Sequence, residues 1–283
     1  MSRAVVLFMT HHWQAAEGRR FARMLHELEG QHELRLLLHD DGGPVRAAWQ
    51  AHLAALGAGD ALHGFDLDAL ARVPGYPLLR PVEGLIPGCA HYPLLALARR
   101  HPQVQQWWLI EADVDYTGHW GEFFAGFAHD ESDLLATHLR PYAQVPGWFW
   151  WPSLKVPARL ISLQQLRVCA SRIFLPVCRF SARALTTVDA AHAQGWRGHA
   201  ECLIPTALRH AGLSVADLLH VQTCYEGTGQ DAMPQADARQ STVRWRPPIS
   251  AQEIVSRGRR PLLFHPLKGE WCWEDLPRDD RGE

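Results

Sequence analysis

The 283-residue chain lacks most of the features that would assign it quickly. No apolar run approaches the roughly 18 residues of a bilayer-spanning helix, so no segment reads as transmembrane. Neither sign of charge is in excess. The formal net charge is -2 and no long basic tract occurs, so the electrostatic footprint of a nucleic-acid binder is missing. The six cysteines (Cys89, Cys169, Cys178, Cys202, Cys224, Cys272) form no C-x-x-C pair, which argues against a structural zinc site. Seventeen histidines include no H-x-x-x-H or H-E-x-x-H, so a zinc hydrolase ranks last. No secretory leader is expected, because Met1-Ser2-Arg3 runs straight into Ala4–Met9, too short for a signal core. The expected location is the cytoplasm, at most peripheral to an inner membrane, with reduced thiols. There is no internal repeat and no convincing linker, so one domain is expected over residues 1–270. Residues 1–118 would form a nucleotide-binding half, 119–270 an acceptor half, and 271–283 a charged tail.

What is present is ordinary for a folded protein: 47% hydrophobic and 20% charged residues. Ala4–Met9 reads as a strand, Ala15–Glu29 as a helix, Glu33–Leu38 as a strand and Val45–Leu56 as a helix. That alternation predicts an α/β fold with a mostly parallel central sheet flanked by helices. In such a sheet the carboxyl ends of the first strands line one crevice. His11, His12, Asp40 and Asp41 would lie near it. The histidines read equally as a polar loop, and the two acids as a helix N-terminal turn or as donor-base or ribose contacts. A helix over His91–Arg100 would place His91 at the same crevice.

The central stretch is Trp107-Trp108-Leu109-Ile110-Glu111-Ala112-Asp113-Val114-Asp115-Tyr116-Thr117-Gly118. An apolar strand drives into three alternating carboxylates. If the strand continued, all three would share a face. Like charges so placed call for a cation, and oxygen ligands suit magnesium or manganese. A solvated acidic turn is the plainer alternative. Further on, a short helix fits Trp120–Phe127 and a strand Asp133–His138.

Twelve tryptophans is a high count. Three of them, Trp148, Trp150 and Trp151, lie with Phe149 between Pro146 and Pro152. That loop either plugs a core or offers a stacking platform for a sugar ring. Ser181 is a plausible N-cap for a helix to Ala193. A helix over Leu203–Ala211 would carry Pro205 in its first turn, and Asp217–Gln222 reads as a strand. Residues 227–240 read as a polar loop, and the tail from Asp275 as frayed.

Taken in order, these motifs resemble the nucleotide-sugar-dependent glycosyltransferases of the GT-A fold. More closely they resemble an uncharacterised family in which Glu-x-Asp-x-Asp precedes Tyr or Phe, Thr-Gly and Trp. Here that element is Glu111 to Trp120. Arg179-Phe180-Ser181, Gly198-His199-Ala200-Glu201 and His265-Pro266-Leu267-Lys268 follow in matching order, and together they cover most of the chain. The resemblance implies a Mn2+ or Mg2+ cofactor, a nucleotide-sugar donor (a UDP-sugar first) and a glycan or lipid-linked acceptor in cell-envelope synthesis. It also implies roles. Asp113 and Asp115 would meet the metal, with Asp115 the better direct ligand and Asp113 also touching the donor. His265 would complete the metal shell, Lys268 would meet a phosphate, and Glu111 would support from the strand end. Glu201 would be the base that deprotonates the acceptor hydroxyl, with His199 second; in a retaining enzyme Glu201 would orient or stabilise instead. Trp148, Trp150 and Trp151 would stack on the acceptor, and His91 and Arg172 would assist at the donor. A nucleotidyltransferase is the main rival. It usually brings a glycine-rich basic loop after the first strand, where this chain has His11-His12-Trp13-Gln14. A non-catalytic sugar-binding module is the other.

Overall fold

The computed structural model describes residues 4–28, 30–39, 42–66, 69–70, 73, 88–227, 241–258 and 260–276. Asp40 and Asp41, most of the Pro/Gly-rich stretch after Asp66, and residues 228–240 lie outside the described residues.

The amino-terminal half alternates as the hydrophobic pattern predicts. Strand β1 (Val5–Thr10) is followed by helix α1 (Ala15–Glu27), strand β2 (Glu33–His39), helix α2 (Pro44–Ala55) and strand β3 (Leu62–Phe65). Helix α3 (Tyr92–Arg100) leads into β4 (Gln106–Glu111), the strand of the double tryptophan. A two-residue strand β5 (Asp115–Tyr116), helix α4 (Trp120–Ala125) and strand β6 (Leu134–Pro141) follow. Next come helix α5 (Leu163–Cys169), the long strand β7 (Ser171–Ser181) and helix α6 (Ala182–Gln194). The chain continues through α7 (Ala200–His210), β8 (Val215–Asp217), α8 (Ala251–Ser256) and β9 (Leu263–Phe264).

Seven strands form one sheet in the order β3-β2-β1-β4-β7-β6-β8. β1 to β4 are mutually parallel; β7 runs antiparallel to both β4 and β6. This is the expected mostly parallel sheet flanked by helices, in one domain. Both faces are covered, and side-chain alternation divides the core in two. Val5, Leu7, Met9, Trp107 and Leu109 pack with α3, α6 and α7. Val6, Phe8, Trp108 and Ile110 pack with α1, α2 and α4. Each fully buried large apolar side chain contributes about 1.5–3 kcal/mol, so β4, apolar on both faces, anchors both layers.

Several boundaries differ from the sequence reading. Helix α7 begins at Ala200, so Pro205 lies inside it rather than in its first turn. The strand expected at Asp217–Gln222 ends at Asp217 and gives way to a 3-10 turn over Leu218–His220. The expected tail begins later than residue 271. Cys272 is fully buried against α1, its Sγ meeting the Ala16 carbonyl, and Arg20 Nη2 donates to the Trp271 carbonyl at 2.8 Å. A thirteen-residue charged tail misses that a Trp-Cys-Trp segment has apolar surface to hide. No helix among the described residues is long and apolar enough to cross a membrane.

Candidate active site

Strand β4 delivers Glu111 to the carboxyl edge of the sheet, where its neighbour β1 ends at Thr10. There the strand stops. Ala112 N donates to the Met9 carbonyl and Val114 N donates to the Glu111 carbonyl at 3.0 Å, closing a turn over Glu111–Val114. The turn breaks the two-residue alternation, so the three acids do not share a face. Beyond it β5 pairs antiparallel with β9, and this pairing carries His265 to the acids from 150 residues away in sequence.

Glu111, Asp113 and His265 each offer one ligand atom, and these atoms lie within 4.8 Å of one another. His265 Nε2 is 3.4 Å from Glu111 and 3.5 Å from Asp113. Its Nδ1 lies 2.8 Å from the Arg244 carbonyl. A carbonyl can only accept, so Nδ1 carries the proton and Nε2 presents its lone pair to the carboxylates. That tautomer, fixed by a backbone acceptor, is the one a metal-ligating histidine needs. Lys268 Nζ donates to Asp113 Oδ2 at 2.5 Å from the solvent side. Burial pushes Asp113 up, but His265 and Lys268 outweigh it and hold the carboxyl below the usual range. Burial likewise disfavours imidazolium at His265, and the facing Asp113 and Glu111 reverse that. Two carboxylates and a lone-pair imidazole on one small volume form a hard, mixed O/N donor set that fits Mn2+ or Mg2+.

Asp115 is elsewhere, and the expectation that it is the better metal ligand gives way to its surroundings. Its side chain is 2% exposed, and Arg23 Nη1 donates to Oδ1 at 3.0 Å while Arg20 Nε lies 3.6 Å from Oδ2. Tyr116 N also donates to Oδ1 at 2.9 Å. Arg20 and Arg23 stand one turn apart on α1 and meet the carboxylate together. Glu111, expected only to support, takes the place in the cluster that Asp115 leaves.

Beside the cluster, helix α7 starts at a tight turn. Gly198 has φ +150°, and a Cβ there would lie 3.0 Å from Leu154 Cα, so this turn needs glycine to pass residues 153–154. His199 caps the helix: its Nδ1 accepts from Glu201 N at 3.3 Å, and its own N donates to Ser153 Oγ at 3.0 Å. Burial pushes the Glu201 carboxyl up to about 7; Arg172 opposes the shift and the charge of Glu111 adds to it. Phe174, whose ring meets that of His265 at 5.3 Å, lines one cavity with Glu201 and so links this helix start to the cluster. Burial and then Arg172 push His199 down to about 4, so it is neutral near pH 7 and serves as cap and packing surface.

The aromatic loop splits its residues between core and site. Trp148 is 2% exposed, with the Arg172 guanidinium 5.2 Å from its ring centre, so it is a floor rather than a stacking face. Trp151 Nε1 is tied to the Val145 carbonyl at 2.8 Å. Trp150 stacks on His199 at 4.5 Å and lines, with Phe149, Phe174, Glu201 and Trp245, a cavity of about 50 Å³. Arg172, expected at the donor, is instead fully buried and supports Trp148 and Glu201. His91 also leaves the crevice. It is buried and its Nε2 lies 2.8 Å from His192 Nε2, between α3 and α6. Phe174 and Trp245 escaped the sequence reading; the exposed Trp-Arg pair at 245–246 was the available signal.

At the end of β1 a second acid has a displaced pKa. Glu17 accepts from Thr10 Oγ1 at 3.0 Å, lies 3.1 Å from His12 Nε2, and is pushed by burial up to about 7. Arg20 and Lys268 pull the other way and Asp113 adds to the shift. A folded-state value above the unfolded 4.5 means that the folded protein holds its proton longer. This group's contribution to stability is thus highest below pH 4.5, falls as pH rises to about 7, and is flat above. Glu17→Gln keeps the shape without the charge. Its denaturation free energy should exceed that of the parent by up to about 3 kcal/mol at pH 8 and match it near pH 4. A constant difference across that range would reject the assignment.

No protein-family model matches the chain, and no curated protein matches it. Solved structures give weak likenesses. The galactosyltransferase LgtC, in complex with donor and acceptor sugar analogs, shares 13% identity over 75% of this chain and 72% of its own, with a TM-score of 0.41. Glucosyl-3-phosphoglycerate synthase from Mycobacterium tuberculosis, in complex with Mn2+, uridine diphosphate and glucosyl-3-phosphoglycerate, shares 15% over 76% of this chain and 69% of its own, at 0.41. A Bacillus anthracis protein described as a glucose-1-phosphate thymidylyltransferase shares 8% over 76% and 86%, at 0.43. Likenesses this slight, to transferases of two kinds, carry no argument about the reaction, which must be read from the side chains.

Proposed function

We propose that the chain is a metal-dependent glycosyltransferase that moves a sugar from a nucleotide-sugar donor to a hydroxyl acceptor. The observation that carries this reading is the juxtaposition of the Glu111–Asp113–His265 cluster and the half-buried acid Glu201, bridged by Phe174. The motif resemblance of Glu111 to Trp120, Gly198 to Glu201 and His265 to Lys268 supports it. Glu111, Asp113 and His265 would hold Mn2+ or Mg2+. When bound, the ion supplies Lewis-acid neutralisation of the leaving diphosphate.

The chain's own groups do the rest. Lys268, more than half exposed and held by Asp113, offers a point charge to a phosphate oxygen. Glu201, ionised above about pH 7, accepts the proton of the acceptor hydroxyl as that oxygen attacks the anomeric carbon. Burial that raises the carboxyl also raises its basicity, so it takes a proton more readily than a solvated carboxylate. Trp150, held flat by His199, gives the acceptor ring an apolar face. Arg172 beneath Trp148 keeps Glu201 from shifting further.

The test is nucleotide release from a panel of UDP-, GDP- and CMP-sugars with Mn2+ or Mg2+. Activity is expected with one nucleotide class and none after chelation; silence across the panel, with no thermal shift by any nucleotide, rejects the reading. Glu201→Gln should lower kcat by about 10²–10⁴-fold. In the parent, kcat should rise with pH through about 7 and level off, because the base works ionised. That limb should vanish in the variant. Unchanged kcat in Glu201→Gln would return the base role to another group.

A further inference from the structure

The segment between the aromatic loop and β7 presents an unusual surface. Residues 134–188 contain no Asp or Glu but seven Arg and Lys, in a chain whose net charge is -2. Lys155, Arg159 and Arg167 of that set are exposed. Among the described residues none of these three pairs with a carboxylate; Arg159 donates to the Gln194 carbonyl. Helix α5 follows Lys155 and Arg159 in the chain, carries Arg167 and has no buried residue. Leu163 is 78% exposed and Val168 74%, far above any other large apolar side chain described. Helical spacing sets Leu163 beside Arg167, and Gln164 beside Val168, on the outward side. Leu166 and Cys169, half-buried, face the protein.

A seven-residue helix is marginal in water on its own. This one is nonetheless closed by a reciprocal cap: Gln165 N donates to Ser162 Oγ, and Ser162 N donates to Gln165 Oε1. The chain thus holds in place a short helix whose display face is leucine, valine and arginine. No described residue covers this leucine and valine, and the charged residues of the segment 134–188 are of one sign. An apolar tip flanked along the chain by exposed cations that meet no described carboxylate is complementary to a bilayer interface rich in anionic headgroups, where the side chains enter the acyl boundary and the cations meet phosphate.

We propose that this face, Lys155 to Cys169, docks the protein on anionic membrane surfaces. The assignment does not depend on the glycosyltransferase reading. It does bear on it, because Tyr142 N donates to the Ala170 carbonyl at 2.8 Å and the Tyr142 ring meets Trp151 at 5.2 Å. The docking helix is thereby linked to the loop that holds Trp150, so a docked enzyme would meet a lipid-linked acceptor at the interface.

The experiment is co-sedimentation of the full chain with vesicles of phosphatidylcholine alone, or mixed with an equal amount of phosphatidylglycerol. Binding is expected only to the mixed vesicles and should weaken as salt is raised. Leu163→Asp with Val168→Asp should lower the partition coefficient about tenfold or more. Arg159→Gln with Arg167→Gln, which keeps the apolar tip, should lower it by a similar factor. Leu163, Arg167 and Val168 lie on an exposed helix and Arg159 on an exposed turn, so thermal melting should match the parent, and nucleotide release in solution should be unchanged. Equal binding to both vesicle types, or variants that sediment like the parent, would overturn the proposal. So would a parent dimer in light scattering that Leu163→Asp with Val168→Asp dissociates, which would give the face to a second copy of the chain.

Discussion

Asp113→Asn is expected to abolish the stabilisation of the protein by Mn2+ while leaving the metal-free fold nearly intact. A ligand present at 100 times its Kd stabilises the folded state by about 2.7 kcal/mol, so parent protein in excess Mn2+ should melt several degrees higher. Asp113 is the hinge of the cluster: one oxygen faces His265 at 3.5 Å and the other takes Lys268 at 2.5 Å. An asparagine there offers one neutral oxygen in place of two charged ones. The remaining set of one carboxylate and one imidazole is poor for a hard cation. Without metal the loss is small, because Lys268 is 58% exposed and solvent screens its pair with Asp113, and such pairs are worth about 0–1 kcal/mol. His265→Ala should lose the metal shift in the same way, and its backbone partner Arg244 lies on the far side of the ring. With metal binding gone, kcat/KM should fall by about 10²–10³-fold, the several kcal/mol of charge stabilisation that an ion supplies. Thermal shift with a Mn2+ titration reads the first outcome and nucleotide release the second. Full retention of the shift in Asp113→Asn would move the metal elsewhere.

The contrast between Asp113 and Asp115 also shows what the sequence can and cannot carry. The βα alternation of the first hundred residues was legible because both faces of the sheet are covered and its central strands are largely apolar. The acids at the end of β4 were legible as a cluster, since an apolar strand that ends in carboxylates must be delivering them somewhere. Their partition was not. It depends on a turn closed by the Glu111 carbonyl, which ends the alternation, and on two arginines a hundred residues earlier on α1. Strand β7 was missed for a related reason. Arg179 sits in its middle, and a buried arginine reads as surface until its partners are known. Those partners, the Phe127 and Ser132 carbonyls and Asp130, come from a loop some fifty residues earlier. Trp245 was missed because only the fold brings it to Trp150 and Glu201. In each case the missing information is a long-range polar or aromatic partner, which periodicity does not record.

Asp115→Asn should do the opposite of Asp113→Asn: it should cost stability and spare metal binding. Asp115 is buried with Arg20 and Arg23, whose side chains are 2% and 6% exposed. Removing its charge leaves the interior Arg20 guanidinium without the carboxylate it faces and takes from Arg23 one carboxylate partner, with Glu27 and Glu274 remaining; breaking a buried pair costs about 3–5 kcal/mol. Some of that is recovered. Arg23 also bonds Glu27 and the Tyr116 and Gly118 carbonyls, and Arg20 bonds the Ala112 and Trp271 carbonyls, so their hydrogen bonds are not all lost. The net fall should therefore sit near the lower end, about 3 kcal/mol, or about 5–10 °C in Tm for a chain of this size. Because Arg20 also holds the Trp271 carbonyl and Trp273 N lies 3.5 Å from Asp115 Oδ2, loosening this carboxylate should release residues 271–276 from α1. Limited proteolysis should then cut Asp115→Asn first near residue 271, while the parent resists. The Mn2+ shift should persist at the variant's lower Tm, since Glu111, Asp113 and His265 are all in place. A variant as stable as the parent that had lost its metal shift would reverse the roles of the two aspartates and restore Asp115 to the metal.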